Sequence, residues 1–431
     1  MAPISSVHMS VNRGKQMGRT EINTIKEEHL RKQLSEAFEK YRFKNKKLLV
    51  IIPDNSRSAP VDIFFRLFYE EYLDRVKRLD YLVALGTHPL LKEAGKLKRV
   101  GIDKQQLETR YHDIAVFNHR WDKEETFVKI GTIEEGEMEA LTGGLLKEEA
   151  EIEINRLIFE YDYVLILGPV FPHEIAGFSG SNKYLFPGIG GWKFIDVTHW
   201  LGALETNLNV IGKKDTAPRR LIDRAAGMVS VPIVYFNIVV DREGLKGLFI
   251  GDTADAWEKA VEVSSRINIT YISRPCRRVL SIPSDKYEDF WTGAKAFYKI
   301  EPMVEDGGEV IVYAPHINQI SITHGRLIEK IGFHIRDYFT AHLESYRDVP
   351  RAVMAYSSLV KGAGTYINGK EKPRVRVVLS SGVPEEKCRQ LNLDYMDPGS
   401  IDVSAWENSQ DEGVRVVHNS GEILFRVGES G

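Results

Sequence analysis

The sequence predicts an α/β protein: two α/β domains with mainly parallel sheets, and the functional site in the cleft between them. Three observations predict it. Strand-like and helix-like segments alternate from Lys47 onward. The first two strands end in polar residues, where doubly wound sheets build their sites. The alternation pauses at Arg274-Pro275 and then restarts. The expected domains are 1–273 and 274–409, with 410–431 a candidate to return a final strand to the first.

Taken in order, residues 48–52 are an unbroken apolar run, read as a buried strand ending at Pro53-Asp54. Over 61–78, Ile63, Leu67, Phe68, Tyr72 and Val76 recur at helical spacing. Residues 81–85 are a second strand, closed by Gly86-Thr87-His88, and 114–117 and 126–130 are weaker strand candidates. The apolar run 163–167 feeds a stretch from 168 to 200 with six glycines (Gly168, Gly177, Gly180, Gly188, Gly190, Gly191). Such a stretch reads as a loop where the backbone bends sharply or approaches a ligand closely. A helix is expected over 217–226, a strand over 233–240, and a hairpin partner over 245–250 after the turn Asp241-Arg242-Glu243-Gly244. Residues 254–265 form an amphipathic helix capped by Asp252 or Thr253, and 269–272 close this half. In the second half, strands are expected over 279–282, 309–314, 375–379 and 423–427, the second of them after the turn Asp306-Gly307-Gly308. Helices are expected over 287–298, 327–331, 337–346 and 385–391.

Composition narrows the partners. The chain has 431 residues, 43% hydrophobic and 28% charged, ordinary for a globular protein that builds well-packed cores. A net charge of −3 gives no electrostatic case for nucleic acid or an anionic membrane. No apolar run approaches the roughly 20 residues of a membrane span. The first twenty residues lack the apolar core of a secretion signal and read as a loose arm. Cys276 and Cys388, far apart in sequence, offer no disulfide framework, which fits a reducing cytoplasm.

Three familiar readings of the glycine-rich stretch fail. A phosphate loop would need glycine and a hydroxyl where Asn182 and Tyr184 flank Lys183. A zinc protease helix would need a second histidine where Gly177 follows His173-Glu174. The dinucleotide fingerprint would need a third glycine at Lys193. What remains is His173, Lys183 and His199 on a flexible scaffold. Elsewhere, Asp54 and Arg57 read either as a capping loop or as an anion site, since arginine offers a planar fork to carboxylates. His88 reads as a strand-end packing residue or an acid/base, and Lys295 as a helical lysine. Trp200, His316, Asn318, Gln319 and His324 either line a pocket for a substrate with several hydroxyls or are structural.

The spacing of His173, Lys183 and His199, with Gly180-Ser181-Asn182-Lys183 and then Pro187-Gly188, resembles the nickel-dependent lactate racemase family. Asp54-x-x-Arg57 and Gly86-Thr87-His88 match further family positions. The resemblance implies a nickel pincer nucleotide, a pyridinium ring with two sulfur-containing arms that chelate nickel. It implies that Lys183 is joined to this cofactor through a thioamide, that His199 is a nickel ligand, and that Asp54 belongs to the cofactor site. His88 and His173 would be a pair of acid/bases, with Arg57 and Lys295 on the substrate carboxylate. The family's Tyr-Gln-x-x-Lys reads here Trp291-Thr292-Gly293-Ala294-Lys295, a departure on the substrate side.

The implied activity is racemisation or epimerisation at C2 of a 2-hydroxy acid. A C2 proton beside an ionised carboxylate is barely acidic, so hydride removal is easier if a base takes the hydroxyl proton at the same time. Two histidines on opposite sides then serve either configuration, because imidazole titrates near neutrality. The altered substrate side points to a larger, sugar-acid-like substrate, with lactate the alternative. The resemblance also implies partners that synthesise the cofactor. Two other classes stay open: a lyase using Lys183 as a Schiff base, and a ligand-sensing protein without catalysis.

Overall fold

The protein, as a computed structural model, is described over residues 22–55 and 58–428. The arm expected over residues 1–20 and the anion-site candidate Arg57 lie outside the described residues. Six strands form the first sheet: β1 (Lys47–Pro53), β2 (Arg78–Ala84), β3 (Val116–Asn118), β4 (Tyr163–Pro169), β5 (Ile233–Asp241) and β6 (Gly244–Gly251). Their order is β6-β5-β4-β1-β2-β3, parallel throughout except for the β5–β6 hairpin.

The composition of β1 explains its place. Leu48, Val50 and Ile52 pack into one core cluster, with Leu34, Phe38, Phe64 and Phe68 of helices Glu27–Lys40 and Val61–Tyr72. Leu49 and Ile51 pack into the other, with Phe194, Leu201 and Leu221 of helices Trp192–Glu205 and Ala217–Ala226. A parallel strand covered on both faces needs an unbroken apolar run. Each such side chain contributes about 1.5–3 kcal/mol relative to exposure. From β1 the chain moves out to β2 and β3, then crosses back to β4 on the other side. That reversal opens a crevice beyond the carboxyl ends of β1 and β4.

The second sheet holds β7 (Cys276–Pro283), β8 (Val304–Ala314), β9 (Arg376–Ser381), β10 (Asp394–Tyr395) and β11 (Val414–Ser420). It is wholly parallel, in the order β10-β9-β8-β7-β11. Strand Leu424–Val427 leaves it to pair with Ile269–Ile272. There Arg426 donates to the carbonyls of Ile211 (2.9 Å) and Leu208 (3.3 Å). Helix Trp192–Glu205 is bolted to helix Arg351–Lys361: Asp196 accepts from Arg351 Nε at 3.1 Å and from the Ala352 amide at 2.7 Å. The Arg351 guanidinium also grips both oxygens of Glu148, at 2.8 and 2.9 Å.

Several elements differ from the sequence expectation. The stretch 168–200 is not one loop, because helix Trp192–Glu205 occupies its end. That helix is apolar nearly all round, so it lacks the one-sided periodicity that marks a surface helix. β8 begins at Val304 and runs through Gly307, whose φ of 82° bends it without ending it. The helix expected over 287–298 is two short turns, Phe290–Gly293 and Lys295–Tyr298, and that over 337–346 stops at Ala341 before a short 3-10 turn. Helices Glu27–Lys40 and Arg351–Lys361, strand Ala150–Asn155 and the hairpin Gly364–Ile367/Lys370–Pro373 are additional. Both cysteines are free and buried.

Candidate active site

Asp54 follows β1 and the His88 turn follows β2, so the two arrive together at the crevice. His88 Nδ1 lies 2.5 Å from Asp54 Oδ2. A carboxylate can only accept, so Nδ1 carries a proton, and it is the neutral ring whose Nε2 presents a lone pair. The turn is pinned: Gly86, at φ 55°, donates its amide to the Gly188 carbonyl (2.9 Å), and Trp121 Nε1 donates to the His88 carbonyl (2.8 Å). Arg99 secures the end of β1 from below, its Nε donating to the Pro53 carbonyl at 2.8 Å. Burial lowers the pKa of Arg99, with the nearby Tyr184 and Asp54 opposing that shift.

His173 lies in a small ribbon after β4, pairing Pro172–His173 with Gly177–Phe178. It is buried, and its Nδ1 accepts the Ile175 amide at 3.1 Å. The proton of the neutral ring therefore sits on Nε2. As neutral rings, His88 and His173 thus differ in tautomer, with the lone pair on Nε2 of one and the N–H on Nε2 of the other. Glu174, also buried, has Oε2 3.7 Å from His173 Nδ1 and accepts from Tyr298 Oη at 3.3 Å.

Lys183 stands in a single 3-10 turn, Ser181–Tyr184, entered through Gly180 at φ 88°. A side chain at Gly180 would meet Val170 at 2.5 Å, so only glycine brings the turn this close to β4. The turn is fixed by neighbours: the Ser181 amide donates to Asn237 Oδ1 (3.1 Å), and Asn182 Nδ2 donates to Asp223 (3.0 Å). Carbonyls upstream are held as well. Arg219, stacked 4.1 Å over the Trp257 ring, donates to Phe178 (2.6 Å); Trp257 Nε1 donates to Ser179 (2.9 Å); Ser264 Oγ donates to Val170 (2.6 Å).

His199 is buried on helix Trp192–Glu205, and its Nδ1 donates to the Ile195 carbonyl at 2.7 Å. Nε2 is left as a lone pair, the arrangement of a metal-ligating imidazole. Burial, helped by the charge of Lys183, lowers its pKa to about 4, so the ring is neutral at physiological pH. Glu174 and His88 also act on it electrostatically, which brings Lys183, Glu174, His88 and His199 into one neighbourhood.

The second half supplies a row of rings. Tyr356, on helix Arg351–Lys361, lies 5.5 Å from the His199 ring centroid; Trp291 lies 4.8 Å from Tyr356; His324 lies 5.1 Å from Trp291. Lys295 opens its short helix with Nζ 5.9 Å from the Tyr287 ring centroid. The other pocket candidates separate: Trp200 is core, whereas His316, Asn318 and Gln319 are exposed. Tyr356, Glu174 and Arg99 were missed by sequence reasoning. A tyrosine on an unrecognised helix carries no motif, though the Glu directly after His173 was visible.

Three comparisons bear on this arrangement. The lactate racemase N-terminal domain family matches residues 5–211. The lactate racemase of Thermoanaerobacterium thermosaccharolyticum is 26% identical over 277 residues, 62% of this chain. That alignment spans 60% of the relative's own length. Among solved structures, a Thermotoga maritima protein superposes with a TM-score of 0.84 at 31% identity, over 94% of this chain and 99% of the other. The lactate racemase apoprotein from T. thermosaccharolyticum superposes with a TM-score of 0.69 at 19% identity, over 90% and 88% of the two chains, a likeness of fold.

Proposed function

We propose that this chain, which belongs to the lactate racemase family, is a racemase or epimerase inverting C2 of a 2-hydroxy acid with a nickel pincer nucleotide held by Lys183 and His199. The observation that carries the reading is the setting of His199: buried, with Nδ1 engaged by the Ile195 carbonyl so that Nε2 is the nitrogen left to ligate. Among the described residues no group of three or more His, Cys, Asp or Glu could hold a metal ion. A metal at His199 would therefore draw its other donors from a bound group. Sulfur beside imidazole suits nickel. Such a group, when bound, supplies the hydride acceptor.

The chain's own residues supply proton handling and position. His88, oriented by Asp54, takes the C2 hydroxyl proton on Nε2, while His173 holds one on Nε2 for return from the other side. Asp54, carried over as a cofactor contact, thus also serves His88. Arg57 and Lys295 are assigned to the substrate carboxylate and Trp291 to the substrate wall. The exchange of Tyr-Gln for Trp291-Thr292 supports a larger, sugar-acid-like hydroxy acid over lactate. Loading falls to cytoplasmic cofactor-synthesis proteins.

The test is intact-protein mass spectrometry with metal analysis, on protein produced alongside the cofactor-synthesis enzymes. The expected result is a nucleotide-sized mass increase lost in Lys183→Ala, and nickel lost in His199→Ala. No adduct and no nickel, in a host where a known family member loads normally, would sink the reading.

A further inference from the structure

We propose that His324 is a specificity-determining residue of this site, presenting its imidazole to a substrate hydroxyl beyond C2. The inference rests on the function proposed above, but on different observations. His324 ends the row of rings that starts at His199, 5.1 Å from Trp291. His88 lies within electrostatic range of His324. The far end of the row therefore lies in the neighbourhood of His88, the acid/base proposed on the other half.

The segment bearing His324 is stapled to the Trp291 turn. The Phe290 amide donates to the Gln319 carbonyl (3.0 Å) and the Trp291 amide to the Ile320 carbonyl (2.8 Å). Asp289 accepts the Thr292 amide at 2.9 Å with one oxygen and the Ile322 amide at 2.8 Å with the other. Ser321 Oγ then accepts the His324 amide at 3.0 Å. Trp291 and His324 are thus set by one carboxylate and one short ladder, so the imidazole is presented on a fixed support.

Partial burial lowers the pKa of His324, which favours the neutral ring. A neutral imidazole offers one N–H and one lone pair, which matches a hydroxyl, itself both donor and acceptor. Lactate carries only a methyl group beyond C2 and has nothing for it to meet. A site that hydrogen-bonds a substrate hydroxyl disfavours the analogue that lacks it.

The experiment compares kcat/KM for a six-carbon aldonate and for lactate in cofactor-loaded wild type, His324→Ala and His324→Gln. His324→Ala should lower the aldonate value about 10- to 100-fold, the range for a hydrogen bond whose partner is left unsatisfied, mainly through KM. Lactate turnover should be unchanged, and His324→Gln, which keeps a donor and an acceptor, should recover part of the loss. Equal losses on both substrates, or no loss on the aldonate, would overturn the assignment. A wild type that inverts lactate alone overturns it while the racemase reading stands. One that is fully loaded yet inverts neither acid takes the racemase reading down as well.

Discussion

The two walls of the site are built to different standards. On the first wall, backbone touches backbone: a side chain at Gly177 would lie 1.9 Å from the Lys213 carbonyl oxygen, and one at Gly168 2.0 Å from the Tyr184 ring. Buried side chains then tie down the carbonyls of residues 170, 178 and 179. On the second wall, only Ile317 and Ile320 of residues 315–324 are buried, and the segment's support is a short ladder plus Asp289. The wall bearing His173, Lys183 and His199 is over-determined, while the wall bearing Trp291 and His324 can change side chains without disturbing it. Such a division lets one reaction be kept while the accepted substrate varies.

The largest break would come at Gly177, where φ is 74°. Gly177→Ala adds a left-handed penalty to an overpacked contact, and should lower stability by about 2–5 kcal/mol. An unchanged Tm would mean that the first wall has slack. Next is the bolt between the walls. Arg351→Met should cost about 1.5–3 kcal/mol, the range for hydrogen bonds to charged groups, read as a lower denaturant midpoint at constant slope.

A third test concerns His119, fully buried and bonded to Asn155 at 3.0 Å. Burial holds its pKa at about 4, against 6.5 for the unperturbed group. Below pH 6.5 the unfolded chain binds the additional proton, so stability falls with pH by about 1.4 kcal/mol per unit until the folded pKa is reached. Unfolding measured between about pH 7 and pH 5 should therefore show a shallower loss in His119→Gln. Parallel losses in the two proteins would show that His119 is not neutral in the folded state. At the small end, Gln319→Ala on the exposed second-wall segment should stay within about 0.5 kcal/mol of wild type. A larger effect would blur the contrast between the walls.

How much of this was legible in sequence follows from the same physics. Strands buried on both faces announce themselves as apolar runs, so β1 and β4 could be read directly, and β5 with Asn237 as its one interior polar residue. Helix Trp192–Glu205 is buried on nearly every side and lost its periodic signal, leaving His199 recognisable by spacing but not by element. His88 and Asp54 were visible as strand-end residues, because doubly wound sheets gather such residues at one edge. Tyr356 was not, since its place depends on a helix that meets the first half through contacts distant in sequence. His324 stood among four other polar or aromatic candidates. Only the fold shows that it packs against Trp291 while His316, Asn318 and Gln319 are exposed.

Asp196, one helical turn before His199, accepts both from Arg351 and from the amide that follows it. Mechanically, helices Trp192–Glu205 and Arg351–Lys361 form a single strut, with His199 and Tyr356 riding on it together. Lys183 rides instead on a turn anchored to β5 through Asn237. A group grasped by both Lys183 and His199 would span the joint between strut and sheet. Its arrival would brace that joint as a crossbar braces a frame, leaving the protein stiffer at that seam than it is without the group.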